Sequence, residues 1–220
     1  MLIWMITDDL FKNDSELNQI RLGEGTLLIR HFIASYASEI IKELEKITKQ
    51  APFRKMLTPN GHKMSVAMTN CGEIGWITDL KGYHYTQQDP ITQRKWPDMP
   101  NLFRELALQA ANFAGYPNFK PDGCLINRYL VGSKLSLHQD KDEKNLKAPI
   151  VSFSLGIPAT FQWGGLKRTD RLEKLILSHG DVLVWGGVDR LRFHGILPIK
   201  ANTHQTLGAQ RINITFRQFY

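Results

Sequence analysis

From residue 123 onward the chain is a succession of short runs. "CLINRYL", "KLSLHQD", "PIVSFSLG", "ATFQW", "KLILS", "DVLVWGG" and "RINITFR" follow one another, split by Gly, Pro or charged turns. Short alternating runs bounded by turn formers are strands. So many short strands must bury a face against a second layer, which points to a β-sandwich or jelly roll. Two amphipathic stretches come first. "SYASEIIKELEKIT" puts Ile40, Ile41, Leu44 and Ile47 on one face, with Ser35 as N-cap. "PNLFRELALQAANFAGYP" carries a stripe of Leu102, Phe103, Leu106, Ala110 and Phe113, and Gly115 then Pro117 stop it. The expected fold class is α+β, mainly β: N-terminal helices flanking a β core over about residues 123–217. The length of 220 residues suits one domain, with room for an inserted lobe.

The stretch between the helices, about 52–97, differs in composition. It is rich in Gly, Thr, Asn, Met and aromatics, with turn signals at Asn60-Gly61 and Cys71-Gly72. Hairpins and loops are expected, more a lid than a core. Met64 and Met68 serve either as core fillers or as an adaptable thioether surface on that lid.

Alternation puts polar groups where a buried strand has apolar ones. In "RINITFR", Ile212, Ile214 and Phe216 share one face; Arg211, Asn213, Thr215 and Arg217 share the other. In "CLINRYL", Leu125, Asn127 and Tyr129 lie together, opposite Ile126 and Leu130. A polar face that meets water explains both. Two arginines and an asparagine on one face also form a carboxylate clamp, because guanidinium binds carboxylates bidentately.

The ten residues "KLSLHQDKDE" hold His138, Asp140, Asp142 and Glu143. A strand aims His138 and Asp140 at one side, as two ligands of one metal require. A distal histidine completes a facial triad with three open positions. His-x-Asp alone is weak. It recurs at His179-Gly-Asp181, where the glycine marks a turn that does not converge the two side chains. Glu143 has the wrong parity; Asp142 has the same parity as Asp140, so that choice stays open. His194 and His204 both qualify as the distal ligand, and His194, between strands, is preferred.

The net charge is +7 and the pI about 9.4. Residues 1–20 carry −3, which leaves +10 on the rest, and a body this basic attracts nucleic acid. "MLIWMITDDLF" lacks the basic start of a signal peptide. Cys71 and Cys124 give no disulfide framework. A cytoplasmic protein with two reduced thiols is expected, without a membrane span: the uncharged run from Ala148 to Leu166 holds prolines and glycines at strand spacing.

"APFRKMLTPNG", "MSVAMTNCG", "CLINRY", "KLSLHQDKDE", "APIVS", "GDVLVWGG", "HGI" and "NITFRQ", with His-x-Asp, a distant His and Arg-x5-Arg in that order, resemble the AlkB family of alkylation-repair dioxygenases. The resemblance runs from about residue 25 to Phe216 and leaves out an N-terminal extension of about 1–22 and the final Phe219-Tyr220. It implies a double-stranded β-helix, or jelly roll, with a nucleotide-recognition lid. It implies Fe(II) ligands at His138, Asp140 and His194, with O2 as cosubstrate. It implies 2-oxoglutarate contacts from Asn127, Tyr129, Arg211, Asn213 and Arg217. Trp76 and the His138 ring would sandwich a damaged base, and Asp142 would face its exocyclic nitrogen. Thr58, Tyr83, Lys134 and Arg168 would lie along the bound strand or the pocket mouth. The implied activity is oxidative demethylation of bases such as 1-methyladenine and 3-methylcytosine in DNA, with RNA as a second substrate, by a monomer. Formaldehyde, succinate and CO2 would be released. The rivals are the same oxygenase chemistry on a small molecule or protein, and a non-catalytic nucleic-acid-binding module.

Overall fold

Thirteen strands and two α-helices form over residues 18–220, the part of the chain that the computed structural model describes. The acidic stretch at the N-terminus, up to residue 17, lies outside the described residues. β1 (Gln19–Gly23) and β2 (Thr26–Ile29) precede α1 (Ala37–Gln50). β3 (Ala67–Gly72), β4 (Gly75–Asp79) and β5 (Gly82–Thr86) lie between α1 and α2 (Asn101–Phe113). Then come β6 (Gly123–Leu130), β7 (Leu135–His138), β8 (Ile150–Gly156), β9 (Ala159–Trp163), β10 (Glu173–Leu177), β11 (Val182–Trp185), β12 (His194–Ile196) and β13 (Gln210–Arg217). The large sheet runs β1-β2-β11-β8-β13-β6-β3, the small one β10-β9-β12-β7, and β4-β5 is a separate hairpin. This is the expected jelly roll, mainly β.

Alternation sorts the core. Ile212, Ile214 and Phe216 of β13 pack with Leu27, Ile29, Val182 and Val184 against Ile40, Leu44 and Ile47 of α1 and Phe103, Leu106 and Ala110 of α2. The opposite face of the large sheet sends Leu28, Leu125, Tyr129 and Leu183 against Phe161, Trp163 and Ile196 of the small sheet. Each fully buried Val, Leu, Ile or Phe among them stabilises the fold by roughly 1.5–3 kcal/mol. The helices therefore seal one side of the large sheet, and the other side is left for a pocket between sheets.

Local details differ from the sequence reading. Ser35 lies in a 3-10 turn, and α1 starts after Tyr36 with no side-chain cap. Phe113, at the end of the α2 stripe, is 41% exposed and meets Phe32 edge-on at 5.7 Å. Gly115, at φ +90°, ends α2 as expected. β3 lies inside the stretch read as lid but pairs with β6 at the edge of the large sheet, Cys71 opposite Cys124. Both cysteines are free thiols and buried. β1 starts at Gln19, inside the stretch read as an extension. Among the described residues no helix is long and apolar enough to cross a membrane.

Candidate active site

β13 pairs with β6 on one side and β8 on the other without a break in register. Its polar face therefore points into the space between the sheets. Arg211, Asn213, Thr215 and Arg217 line a cavity of about 630 Å³ there, together with Asn127 and Tyr129 of β6. On the small sheet, His194 of β12 sits directly across from His138 of β7. Gly195 allows that approach: a Cβ there would lie 2.8 Å from the Leu135 carbonyl oxygen.

Strand parity does not reach Asp140, because β7 ends at His138. Two arginines place it instead. Arg217 Nη2 donates to its Oδ2 at 2.7 Å, and Arg190 Nη1 donates to its main-chain oxygen. His138, Asp140 and His194 form the one cluster among the described residues in which three His, Cys, Asp or Glu side chains bring ligand atoms within 4.8 Å of one another. His138 Nε2 lies 3.6 Å from Asp140 Oδ1, and His194 Nε2 3.9 Å from Oδ2. Each Nδ1 faces a main-chain carbonyl, Ser136 O at 2.8 Å and Arg192 O at 3.0 Å. A carbonyl only accepts, so each Nδ1 carries a proton and each Nε2 is the nitrogen turned toward Asp140. Burial, then His138, lowers the His194 pKa to about 4, so its Nε2 lone pair is free at neutral pH. Burial works to raise the Asp140 carboxyl, but Arg217, His194 and His138 hold it well below the usual carboxylate range. Two imidazole Nε2 atoms with an ionised carboxylate are the donor set of a 2-His-1-carboxylate iron site.

The other His and His-x-Asp candidates fall elsewhere. His204 stacks on His179 at 4.3 Å, and its Nδ1 accepts from the Thr206 and Leu207 amides. Gly180, between His179 and Asp181, is a turn at φ +87°, and Asp181 is taken by Arg30 and the Ser178 amide.

The arginine-lined floor fits a dicarboxylate. Arg211 is 1% exposed; its Nη2 donates to Ser154 Oγ at 3.0 Å, while Nε and Nη1 have no partner. Asn127 Oδ1 is also buried without a partner, and Asn213 Nδ2 is held by Ser152 Oγ and Phe153 O. The open Arg211 donors are costly unless a ligand takes them, and a carboxylate can. The two arginines are not equivalent, since Arg217 already holds Asp140.

The β4-β5 hairpin closes the mouth. Trp76 and Tyr83 stack with centroids 5.7 Å apart, and Trp76 Nε1 donates to Asp142 Oδ2 at 2.9 Å. Thr58, Met64, Met68, Asp142 and Arg168 join the lining. Lys134 does not. It is exposed, and its main chain is tied to Ser65.

Residues 25–217 match the 2OG-Fe(II) oxygenase superfamily. The chain is 55% identical over 210 residues to alpha-ketoglutarate-dependent dioxygenase AlkB of Escherichia coli strain K12, covering 96% of this chain and 97% of that protein. The chain belongs to the AlkB family. AlkB of Salmonella typhimurium strain LT2 is 51% identical over the same shares. The solved structure of OsALKBH1 superposes with a TM-score of 0.80 at 31% identity, over 91% of this chain and 99% of that one. As an AlkB-family enzyme the protein is an Fe(II)- and 2-oxoglutarate-dependent dioxygenase with O2 as cosubstrate. The His138–Asp140–His194 cluster fits its iron.

Several residues around this site carry no sequence signal for it, and Glu143 is read from the sequence only as a candidate metal ligand. Ser152 and Ser154 hold Asn213 and Arg211. Trp185 meets the His194 ring at 5.2 Å, inside an aromatic wall with Phe161 and Trp163. Arg190 and Glu143 stand behind Asp140. The apolar wall was visible only as strand composition, and nothing in a pattern of spacing marks which buried serine meets which arginine.

Proposed function

We infer that this AlkB-family protein removes N-linked methyl groups from damaged bases in nucleic acid, by direct oxidative reversal. One observation carries the reading. A single cavity joins the His138–Asp140–His194 cluster and the arginine floor to the aromatic lid. We propose that the cluster holds Fe(II) and that Asn127, Tyr129, Arg211, Asn213 and Arg217 receive 2-oxoglutarate. Trp76, Tyr83, Asp142, Arg168 and Thr58 face the nucleic acid, with Lys134 outside the cavity on the strand's path. When bound, iron with 2-oxoglutarate and O2 supplies the oxidant that hydroxylates the methyl carbon, which then leaves as formaldehyde.

The remaining work belongs to the chain. The methyl group of 1-methyladenine or 3-methylcytosine lies on the Watson–Crick edge, so the base must leave the duplex or come from a single strand. Trp76 offers a stacking platform worth roughly 1–3 kcal/mol per base. These lesions are cationic, which adds a cation–π contribution from Trp76 and an attraction to the Asp142 carboxylate. The aromatic wall around His194 excludes water from the iron side. The charge of +10 outside the acidic N-terminus supplies phosphate contacts that weaken with salt. All these groups lie on one chain, in keeping with a monomer, and two free buried thiols suit the reducing cytoplasm. DNA is the proposed substrate, with RNA as a second. A small-molecule oxygenase has no use for the stacked pair at the mouth.

The test is an anaerobic-then-aerobic incubation with Fe(II), 2-oxoglutarate and a single-stranded oligonucleotide carrying 3-methylcytosine, followed by mass spectrometry. Each lesion should lose one methyl mass. An unchanged oligonucleotide from protein with iron confirmed bound would sink the reading. Asp142→Ala should keep iron and lower the preference for cationic over neutral bases by up to about fivefold, the range of an exposed charge pair. Loss of iron from that variant would move Asp142 into the metal site.

A further inference from the structure

Glu143 is a carboxylate with only 6% of its surface exposed, and it lies outside the cavity. Its Oε2 accepts from Arg190 Nη2 at 2.9 Å, and its Oε1 lies 3.1 Å from Arg217 Nε. These are the two arginines that hold Asp140, one at its carboxylate and one at its main-chain oxygen. Arg190 Nε also donates to Ala148 O at 3.0 Å. Two buried guanidinium groups and two buried carboxylates thus balance. Removing the Glu143 charge would leave Arg190 without a carboxylate partner.

The same carboxylate reaches the lid. Tyr85 of β5, directly across from Trp76 in the hairpin, donates its hydroxyl to Glu143 Oε1. Behind Tyr85 stands Phe219, with ring centroids 4.6 Å apart. Phe219 is 9% exposed, its amide donates to Asp122 Oδ1 at 2.7 Å, and its carbonyl accepts from the Asn145 amide. The final Phe-Tyr pair, which falls outside the sequence resemblance, is therefore built into the back of the site.

We propose that Glu143 is a positioning residue for the reaction. Through Arg190 and Arg217 it fixes the iron-facing pose of Asp140, and through Tyr85 and Phe219 it takes its own pose from the lid hairpin and the C-terminal residues. Groups that orient a metal ligand typically contribute 10- to 100-fold to metal affinity. The inference rests on the reading of His138, Asp140 and His194 as the iron site.

The experiment compares the full chain with its Glu143→Gln and Tyr85→Phe variants under anaerobic conditions. Three quantities are read: the Fe(II) dissociation constant, the visible charge-transfer band on adding 2-oxoglutarate to the Fe(II) protein, and the affinity for an unmodified oligonucleotide without metal. Glu143→Gln keeps the shape and removes the charge; it should weaken Fe(II) about tenfold and shift the band. Tyr85→Phe removes one hydroxyl and leaves the ring on Phe219; it should weaken Fe(II) about threefold. Both should bind the oligonucleotide as the parent chain does. Parent-like iron affinity in both variants overturns the proposal, and so does an equal loss of iron and oligonucleotide binding, which marks a general defect. If Glu143→Gln does not fold, Tyr85→Phe decides. The readouts need no turnover, so failure of demethylation leaves this result standing, while a parent chain that binds no Fe(II) refutes the iron site itself.

Discussion

Asp140→Ala should lose Fe(II) and catalysis together, with kcat falling by more than about 1000-fold, equivalent to roughly 4 kcal/mol. The carboxylate is the only anionic group in the cluster, and Arg217 above all keeps it ionised. Two neutral imidazoles cannot replace its charge on a divalent ion. The chain should still fold, because Arg217 retains Glu143 and Arg190 retains Glu143 and Ala148 O. Metal content after anaerobic loading, circular dichroism and the methyl-loss assay on one preparation check all three parts. A variant that keeps iron and turns over would pass the ligand role to Asp142.

Arg211→Met should raise the KM for 2-oxoglutarate about 100-fold, within the cost of removing one partner of a buried charge pair. The same change should not lower the melting temperature of the ligand-free protein and is expected to raise it. The Arg211 guanidinium is buried with Nε and Nη1 unpartnered, and burial, only partly offset by Tyr129, lowers its hold on its own proton. Methionine of similar length removes that unpaired charge and fills the space. Added 2-oxoglutarate should stabilise the parent protein by mass action and leave the variant unmoved. Thermal melts with and without 2-oxoglutarate check this. A destabilised variant that still binds the cosubstrate would make Arg211 a structural residue.

The large strands were legible because their alternation is long enough to read. Eight residues of β6 and eight of β13 show two faces each, and those faces meet the helices and the cavity as parity predicts. β2 and β12 were not, since four buried residues and three residues carry no period. At the site, parity worked as far as the strand did. β7 stops at His138, so the tie between Asp140 and Asp142 could not be broken by counting. What separates them is a pair of arginines from β13 and the turn after Gly187–Asp189, remote in sequence from both. Glu143 was set aside as a ligand, and it is absent from the cluster, but the reason is not its parity: it faces Arg190 and Arg217. A pattern of residue types cannot show which buried acid meets which base.

β13 is bonded on both sides in one unbroken register, so its odd and even positions act as a reading frame. A single inserted or deleted residue there would turn Ile212 and Ile214 into the cavity and Arg211 and Asn213 into the helix-facing core. Length changes in this strand therefore cannot damage the chemistry while sparing the fold. Substitutions confined to the odd positions can, which leaves the strand open to editing in content and closed to editing in length.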